Sequence, residues 1–441
     1  MIPEIIPILM FVVLCIFLFM GFPLAFALGS VGVFFGFFGI GPQYFGTLIT
    51  RIYGIMDNFV LLAITLFILM GNFLTMSGMA DQLFRALRIL FGPIRGGVGL
   101  AVIAVCIVFA ACTGVIGASV VTMGLLSGPL LLRYGYQKEI TMGMVAAGGS
   151  LGILIPPSIM LVMMADLASL SAGKLLISGI LPGVFLGILY MAYIAIRCGI
   201  NPRIGPPIPK EELAAIPLRA RVIDSLRNGL PPMLLICLVL GAIFSGIATP
   251  TEAAAVGAFG AFFMVIAYGR FKWSEFVNCL YGTGKTVTMV MIIMVGASCF
   301  TGVFLGMGGS DALVKAILGL ELGRWGTYVL IMVIYVILGC FIDWIGIVML
   351  TFPILLPIAK ALNFDMLWFT SMLAINLQMS FLTPPFGYAL FYLSGLNIEG
   401  IRIEHIYRGV VPFLILQAIG VTICTIWPQI VVWLPNLMIG K

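Results

Sequence analysis

Long apolar segments, separated by short polar ones, run along most of this chain. Clear examples are residues 5–20, 60–70, 98–111, 230–247 and 329–342. A helix needs about 20 mostly apolar residues to cross the hydrocarbon core of a bilayer. With short connections, the 441 residues accommodate roughly ten to twelve such segments. The pattern therefore predicts an all-α polytopic membrane protein.

Composition supports the same class of protein. Hydrophobic residues make up 62% of the chain and charged residues 9%, whereas a soluble domain carries roughly 25% charged residues. The net charge of +6 is spread along the chain, which favours orientation in a bilayer over nucleic-acid binding. The nine cysteines contain no CxxC pair, so they are interpreted as small buried residues rather than a metal framework.

The most polar stretch, residues 198–229, divides the chain into two halves. It carries five prolines among several arginines and a lysine, and such a backbone would leave polar groups unsatisfied in hydrocarbon. We interpret it as a linker between a first membrane repeat, 1–197, and a second, 230–441. Its basic excess predicts a cytoplasmic location.

The second half repeats the first at an offset of 228 residues, measured from Pro156 to Pro384. At that offset Pro156-Pro157 falls on Pro384-Pro385, and Gly29 falls on Gly257. Interrupted segments at matching positions of two repeats are the best sequence indication of a transporter binding site. An odd number of spans in each half would make the repeats inverted.

Each Pro-Pro pair is predicted to break a helix, at about 140–165 and about 366–395. Proline removes a hydrogen-bond donor and clashes with the preceding turn. In a membrane the freed carbonyl groups are tolerated only where they face protein or a watery cavity. There they can bind Na⁺, while the N-termini of half-helices favour anions. The alternative is that each pair marks the end of a span at the membrane interface.

Each broken segment is preceded by a patch of small or polar residues inside an apolar run, at 111–119 and 339–346. We predict that these patches are tips of re-entrant hairpins at about 98–133 and about 325–358. Asp343 lies in the second patch. A carboxylate near the bilayer centre costs about 2.5–3.5 kcal/mol, which makes it a functional candidate. An interfacial position or pairing with a basic residue is the alternative.

Five sequence motifs carry a family resemblance. They read GFPLAFALG at 21–29, LFILMGN at 66–72, AAGGSLGILIPPS at 146–158, GIATPTEAAAVG at 246–257 and LTPPFG at 382–387. With these motifs the chain resembles, nearly end to end, the DctM-like large membrane subunit of tripartite ATP-independent periplasmic (TRAP) transporters. The resemblance implies two inverted repeats, each with a re-entrant hairpin and a broken helix, which work as an elevator.

The resemblance also implies a function. It is the import of a small organic anion, a carboxylate or sulfonate, by Na⁺ symport across the bacterial or archaeal cytoplasmic (inner) membrane. The implied partners are a small four-span membrane subunit and a periplasmic binding protein that delivers the substrate. A self-sufficient ion-coupled carboxylate transporter without a binding protein remains the alternative. An enzyme is not expected, because no nucleophile–base pair, HExxH or metal cluster occurs in the spans.

Candidate site residues follow from the resemblance and the repeat. The resemblance places one Na⁺ site at Thr113 with the carbonyl groups of Gly152, Ile155 and Pro157. The 228-residue offset nominates a second Na⁺ site at Ser380, Thr383 and Pro385, joined by Asp343. The substrate is expected between them, near Ser119, Ser150, Trp344 and Asn376.

Both hairpin tips depart from the family pattern. Many relatives have a Ser-Gly-Ser-Ser-like first tip, whereas this chain has Thr113-Gly114-Val115-Ile116. In the second tip Trp344 stands where relatives often have a small hydroxyl residue. This tryptophan could narrow the pocket or stack on a substrate group.

Overall fold

The computed structural model describes residues 2–114, 116–209, 211–212, 217–384 and 387–438. These residues form twenty α-helices and one 3-10 turn. The first ten helices are α1 (Ile2–Phe19), α2 (Leu24–Gly39), α3 (Tyr44–Met56), α4 (Phe59–Met76), α5 (Met79–Phe91), α6 (Gly97–Thr113), α7 (Ile116–Arg133), α8 (Lys138–Ser150), α9 (Ile159–Leu167) and α10 (Ala172–Ile200).

The second half follows the same order. Its helices are α11 (Leu218–Phe244), α12 (Pro250–Ala267), α13 (Trp273–Gly306), α14 (Gly309–Leu318), α15 (Gly323–Gly339), α16 (Trp344–Ala361), α17 (Met366–Ser380), α18 (Tyr388–Gly395), α19 (Ile403–Ile426) and α20 (Gln429–Met438). Eight helices in the described residues are long and apolar enough to cross a membrane, and four shorter apolar helices accompany them. The all-α prediction is confirmed.

Helices of the two halves correspond at the offset found in the sequence. Helices α7 and α16 begin at Ile116 and Trp344, and helices α8 and α17 begin at Lys138 and Met366. Helices also pack across the two halves. Helix α2 of the first half packs against α13 of the second, and α12, the counterpart of α2, packs against α4 of the first half. Each half therefore completes the packing of the other.

Close contact between α2 and α13 depends on small residues. A Cβ atom added to Gly32 would lie 2.7 Å from the backbone carbon of Cys299. Gly29 also faces Gly296, at 3.8 Å from its added Cβ to the Gly296 Cα. In a membrane, where lipid is as apolar as leucine, such small residues let helix backbones approach and gain van der Waals contact.

The segment predicted as a linker is helical at both of its ends. Helix α10 extends to Ile200 and α11 already begins at Leu218, so helix occupies both ends of the predicted 198–229 interval. Its prolines up to Pro217 precede α11, and the residues that follow, up to Gly229, contain none. Helix formation there is therefore not opposed by proline.

Backbone hydrogen bonds attach the non-helical part of the linker to the first half. The Gly205 carbonyl accepts from the Gly96 N–H at 2.9 Å, and the Ile204 carbonyl accepts from the Gln137 N–H at 3.0 Å. Nearby, the Tyr134 hydroxyl donates to the Glu212 carboxylate at 2.8 Å. At these residues the linker is therefore hydrogen-bonded to the first half.

Replacement of Gly32 by alanine should lower stability by roughly 1–3 kcal/mol, because the new methyl group must push the α13 backbone away. We expect a lower Tm for the purified protein in detergent. Gly46→Ala is the matched control, since nothing lies within 4 Å of its added Cβ and alanine favours a helix over glycine by about 1 kcal/mol. An equal loss of Tm in both variants would contradict this account of the α2–α13 contact.

Candidate functional site

The first hairpin turns at a glycine. Helix α6 ends at Thr113 and α7 begins at Ile116, and Gly114 between them has a φ of +60°. Residues other than glycine rarely adopt this left-handed conformation. The side chain of Thr113, the first nominated Na⁺ ligand, lies outside the described part of the chain.

The first broken helix lies against this tip. Helix α8 ends at Ser150, a 3-10 turn covers Leu151–Ile153, and α9 begins at Ile159. A Cβ atom on Gly114 would lie 2.9 Å from the carbonyl oxygen of Pro157. The absence of a side chain at the tip therefore lets its backbone reach the break.

Within the described residues, three carbonyl groups of the first break have no hydrogen-bond donor. The Ser158 side chain caps α9 by accepting from the Leu161 N–H at 3.2 Å and donates to the Ile153 carbonyl. Among the described residues, no donor reaches the carbonyl oxygens of Gly152, Ile155 or Pro157. All three residues are buried. Such carbonyl groups are the kind of ligand that broken membrane helices offer to cations.

The second tip repeats the arrangement with a carboxylate. Helix α15 ends at Gly339 and α16 begins at Trp344, with Asp343 as its N-cap. The Asp343 carboxylate accepts from the Ile345 N–H at 3.4 Å and is 9% exposed. It takes part in no salt bridge within the described residues.

The second broken helix also lies against its tip. A Cβ atom on Gly339 would overlap the Ser380 side chain, and the Ser380 hydroxyl donates to the Tyr335 carbonyl at 3.5 Å. The Thr383 hydroxyl donates to the Met379 carbonyl at 2.7 Å. Pro385 lies outside the described residues.

The two halves meet at a pair of equivalent residues. The Gln378 amide lies 3.5 Å from the Ser150 hydroxyl, and these positions are 228 residues apart. Residues at equivalent positions of the two halves therefore contact each other where the halves meet. Both side chains are fully buried.

Residues of both tips and both breaks line one cavity of about 80 Å³. The first residues of four helices line it: Ile116 of α7, Ile159 of α9, Trp344 of α16 and Tyr388 of α18. A helix N-terminus carries partial positive charge on its free N–H groups. Four such ends therefore converge on a single small space, which favours a negatively charged group there.

The nominated substrate residues are distributed unevenly. Trp344 and Asp343 line the cavity. Ser119 and Ser150 are buried in α7 and α8 outside the cavity lining described here. Asn376 donates to the Met332 carbonyl at 2.8 Å and borders a separate groove between α15 and α19.

Sequence reasoning missed three cavity residues with hydroxyl groups. Tyr388 and Tyr392 project from α18, and Thr286 comes from α13. The two tyrosines stand four residues apart, and the first of them directly follows the Pro-Pro-Phe-Gly motif at 384–387, so they share one helical face. That spacing is the signal that could have identified them. Thr286 closes a GTGKT string that lies inside a helix.

Comparison with known proteins places the chain in a family. The family described as "Tripartite ATP-independent periplasmic transporter, DctM component" matches residues 11–430. The chain belongs to this family. It is therefore a TRAP large permease and a multi-pass protein of the inner membrane, as the sequence motifs indicated.

Individual relatives agree with this assignment. The C4-dicarboxylate TRAP transporter large permease protein DctM of Pseudomonas aeruginosa is 32% identical over 90% of both chains. The isethionate TRAP transporter permease protein DctMQ of Oleidesulfovibrio alaskensis is 31% identical over 85% of this chain and 58% of that protein. The YdaH transporter of Alcanivorax borkumensis shares the fold of this TRAP permease, with a TM-score of 0.61, 14% identity and 91% coverage of both chains.

The contact between Gly114 and the first break predicts a difference between two glycine substitutions. Gly114→Ala should strain the left-handed turn and also push the tip from the Pro157 carbonyl. Gly246→Ala is the matched control, because Gly246 has a φ of +71° and nothing lies within 4 Å of its added Cβ. Hydrogen exchange measured by mass spectrometry should increase in residues 151–158 for Gly114→Ala alone. Equal protection of this peptide in both variants would show that the tip does not hold the break.

Proposed function

We propose that this TRAP permease imports a small organic anion, a carboxylate or sulfonate, by Na⁺ symport. A periplasmic binding protein delivers the substrate, and a small four-span membrane subunit completes the transporter. The relatives named for a C4-dicarboxylate and for isethionate support this range of substrates, since one carries carboxylates and the other a sulfonate.

The observation that carries the proposal is the convergence of four helix N-termini on one cavity. An anion placed there would face the positive ends of the helices. Two of these ends, those of α9 and α16, already have side-chain caps from Ser158 and Asp343. Helix α18 offers the Tyr388 N–H, which has no acceptor among the described residues, since its N-cap, Gly387, has no side chain. Its next two N–H groups donate to the carbonyls of Phe381 and Gly387.

Two Na⁺ sites are proposed beside this cavity, one at each contact between tip and break. The first would use the carbonyl groups of Gly152, Ile155 and Pro157, which have no donor among the described residues, together with Thr113. The second would use the equivalent elements of the other half, namely Ser380, Thr383, Pro385 and Asp343. Oxygen ligands from an irregular backbone suit a hard cation such as Na⁺.

Transport would proceed by an elevator motion of inverted repeats. The moving body would comprise the hairpins and broken helices, α6–α9 and α15–α18, and the remaining membrane helices would form the scaffold. Side-chain hydrogen bonds of the described residues join these bodies. The Asn58 amide donates to the Asp166 carboxylate at 2.9 Å, the hydroxyls of Ser178 and Ser371 lie 2.7 Å apart, those of Tyr328 and Thr425 lie 2.9 Å apart, and the Trp368 indole donates to the Cys424 carbonyl at 3.4 Å. These contacts would have to break during each cycle.

Reconstitution tests the coupling. The chain, its small subunit and the loaded binding protein are combined with liposomes, and uptake of labelled substrate is measured with and without an inward Na⁺ gradient. We expect uptake to follow the gradient and to collapse when K⁺ replaces Na⁺. Equal uptake with and without the Na⁺ gradient would rule out Na⁺ symport. Equally fast uptake of free substrate without the binding protein would eliminate the delivery step.

Substitution of Thr383 or Asp343 by alanine tests the second Na⁺ site. Loss of one oxygen ligand should raise the Na⁺ concentration for half-maximal uptake by roughly tenfold, equivalent to about 1.4 kcal/mol.

Thr422→Ala is the control for this site. Its hydroxyl likewise donates to the carbonyl of the preceding helical turn, at 2.8 Å, but Thr422 lies on α19 beside a separate groove. An unchanged Na⁺ dependence in both Thr383→Ala and Asp343→Ala would remove these residues from the site.

A further inference from the structure

The walls of the central cavity are largely hydrocarbon. Aliphatic side chains from the first tip, the first break and helices α4 and α13 cover one side of it: Ile68, Ile116, Ile153, Ile159, Met289 and Val290. Transfer of a charged group onto such a surface is costly unless a partner is present. These walls therefore suit the apolar body of a ligand.

Aromatic rings cover the other side. Phe381 and Tyr388 meet edge to face, with ring centroids 6.3 Å apart and an interplanar angle of 63°. Tyr392 packs over the first tip, since a Cβ atom on Gly117 would lie 2.9 Å from the ring carbon that bears its hydroxyl. Trp344 adds a fourth ring at the second tip. Rings at such angles form a corner that can hold a compact hydrocarbon group.

The charge balance of the cavity is the second observation. Among the described lining residues Asp343 is the one charged side chain, and the undescribed Val115, Pro385 and Phe386 are uncharged in the sequence. The basic residue beside Thr286, Lys285, is exposed and borders a different, open groove with Tyr281. No basic side chain of the described residues is thus available to a ligand in the cavity.

The charges of the two proposed Na⁺ ions and of Asp343 are balanced by one anionic group of the substrate. Two Na⁺ ions and the Asp343 carboxylate together leave a single positive charge, which one carboxylate or sulfonate neutralises. A dicarboxylate would bring a further negative charge to apolar walls and to Asp343 itself. That arrangement is unfavourable in a low-dielectric site.

We infer that the substrate of this chain is a compact monocarboxylate or monosulfonate with an apolar body, not a dicarboxylate. Its anionic group lies at the convergent helix N-termini, and its body lies against Trp344, Phe381 and Tyr388. This inference rests on the proposed function, whose cations enter the charge count.

Three small probes of similar length test the inference. They are 4-methylpentanoate, succinate, in which a carboxylate replaces the isopropyl group, and 4-aminobutyrate, which carries a cation instead. Their binding to the full-length chain in lipid nanodiscs is measured by calorimetry, in NaCl and in KCl. We expect 4-methylpentanoate to bind at least roughly 100-fold more tightly than succinate in NaCl, because the second carboxylate of succinate would have no partner.

Variants of Trp344 test whether this side chain contributes to the binding of 4-methylpentanoate. Trp344→Ser should weaken binding of 4-methylpentanoate by roughly tenfold through loss of aromatic contact area. Trp344→Phe, which keeps an apolar ring and guards against misfolding, should preserve the preference. Trp433→Ser is the matched control, because Trp433 is 52% exposed on α20, outside the cavity, and its replacement should leave all three affinities unchanged.

Each outcome of the binding experiment supports or overturns the inferred substrate class. Succinate binding as tightly as 4-methylpentanoate overturns the inference, and so does no measurable binding of 4-methylpentanoate at 50 mM. Tighter binding of 4-aminobutyrate also overturns it, in favour of a zwitterion paired with Asp343. A preference for 4-methylpentanoate that is the same in NaCl and KCl supports the substrate class while it refutes Na⁺ coupling. The two proposals therefore fail separately.

Discussion

Hydrogen bonding of the backbone inside hydrocarbon is the constraint on which this structure depends. An interrupted membrane helix exposes N–H and C=O groups that lipid cannot satisfy, so each interruption must be buried in protein or face a cavity. The chain meets this condition in the same way twice. The backbone of Gly114 lies against the Pro157 carbonyl, and Gly339 lies against Ser380. Each re-entrant tip covers one broken helix, and the ends of both breaks open into one shared cavity.

Packing between the halves keeps these four elements together. Helix α2 packs on α13 and α12 packs on α4, so neither half encloses its own helices completely. The contact between Ser150 and Gln378, at equivalent positions of the two halves, lies near the ends of α8 and α17, beside the breaks. Each half contributes two helix N-termini to the cavity.

Differences between the two halves supply the chemistry that symmetry alone would not. The first tip offers Gly114 and aliphatic neighbours, whereas the second offers Asp343 and Trp344 at the cavity. The first break is followed by Ile159, the second by Tyr388 and Tyr392. The backbone framework is thus repeated, while the carboxylate and most of the aromatic surface come from the second half. An asymmetric ligand, with a charged end and an apolar body, suits such a site.

The sequence by itself determined the membrane class, the 228-residue repeat and the positions of the two breaks, because hydropathy and proline act locally and repeats are visible in the order of residues. Pro231-Pro232 lies inside the continuous helix α11, so a Pro-Pro pair by itself is not sufficient to break a helix. Local reasoning also did not find Tyr388, Tyr392 and Thr286 at the cavity, and it gave no sign that Asn376 borders a separate groove. Only the tertiary structure decided these points. Whether a break is tolerated, and which side chains meet in one cavity, depend on contacts between residues distant in the chain, and spacing along one helix carries no information about such partners.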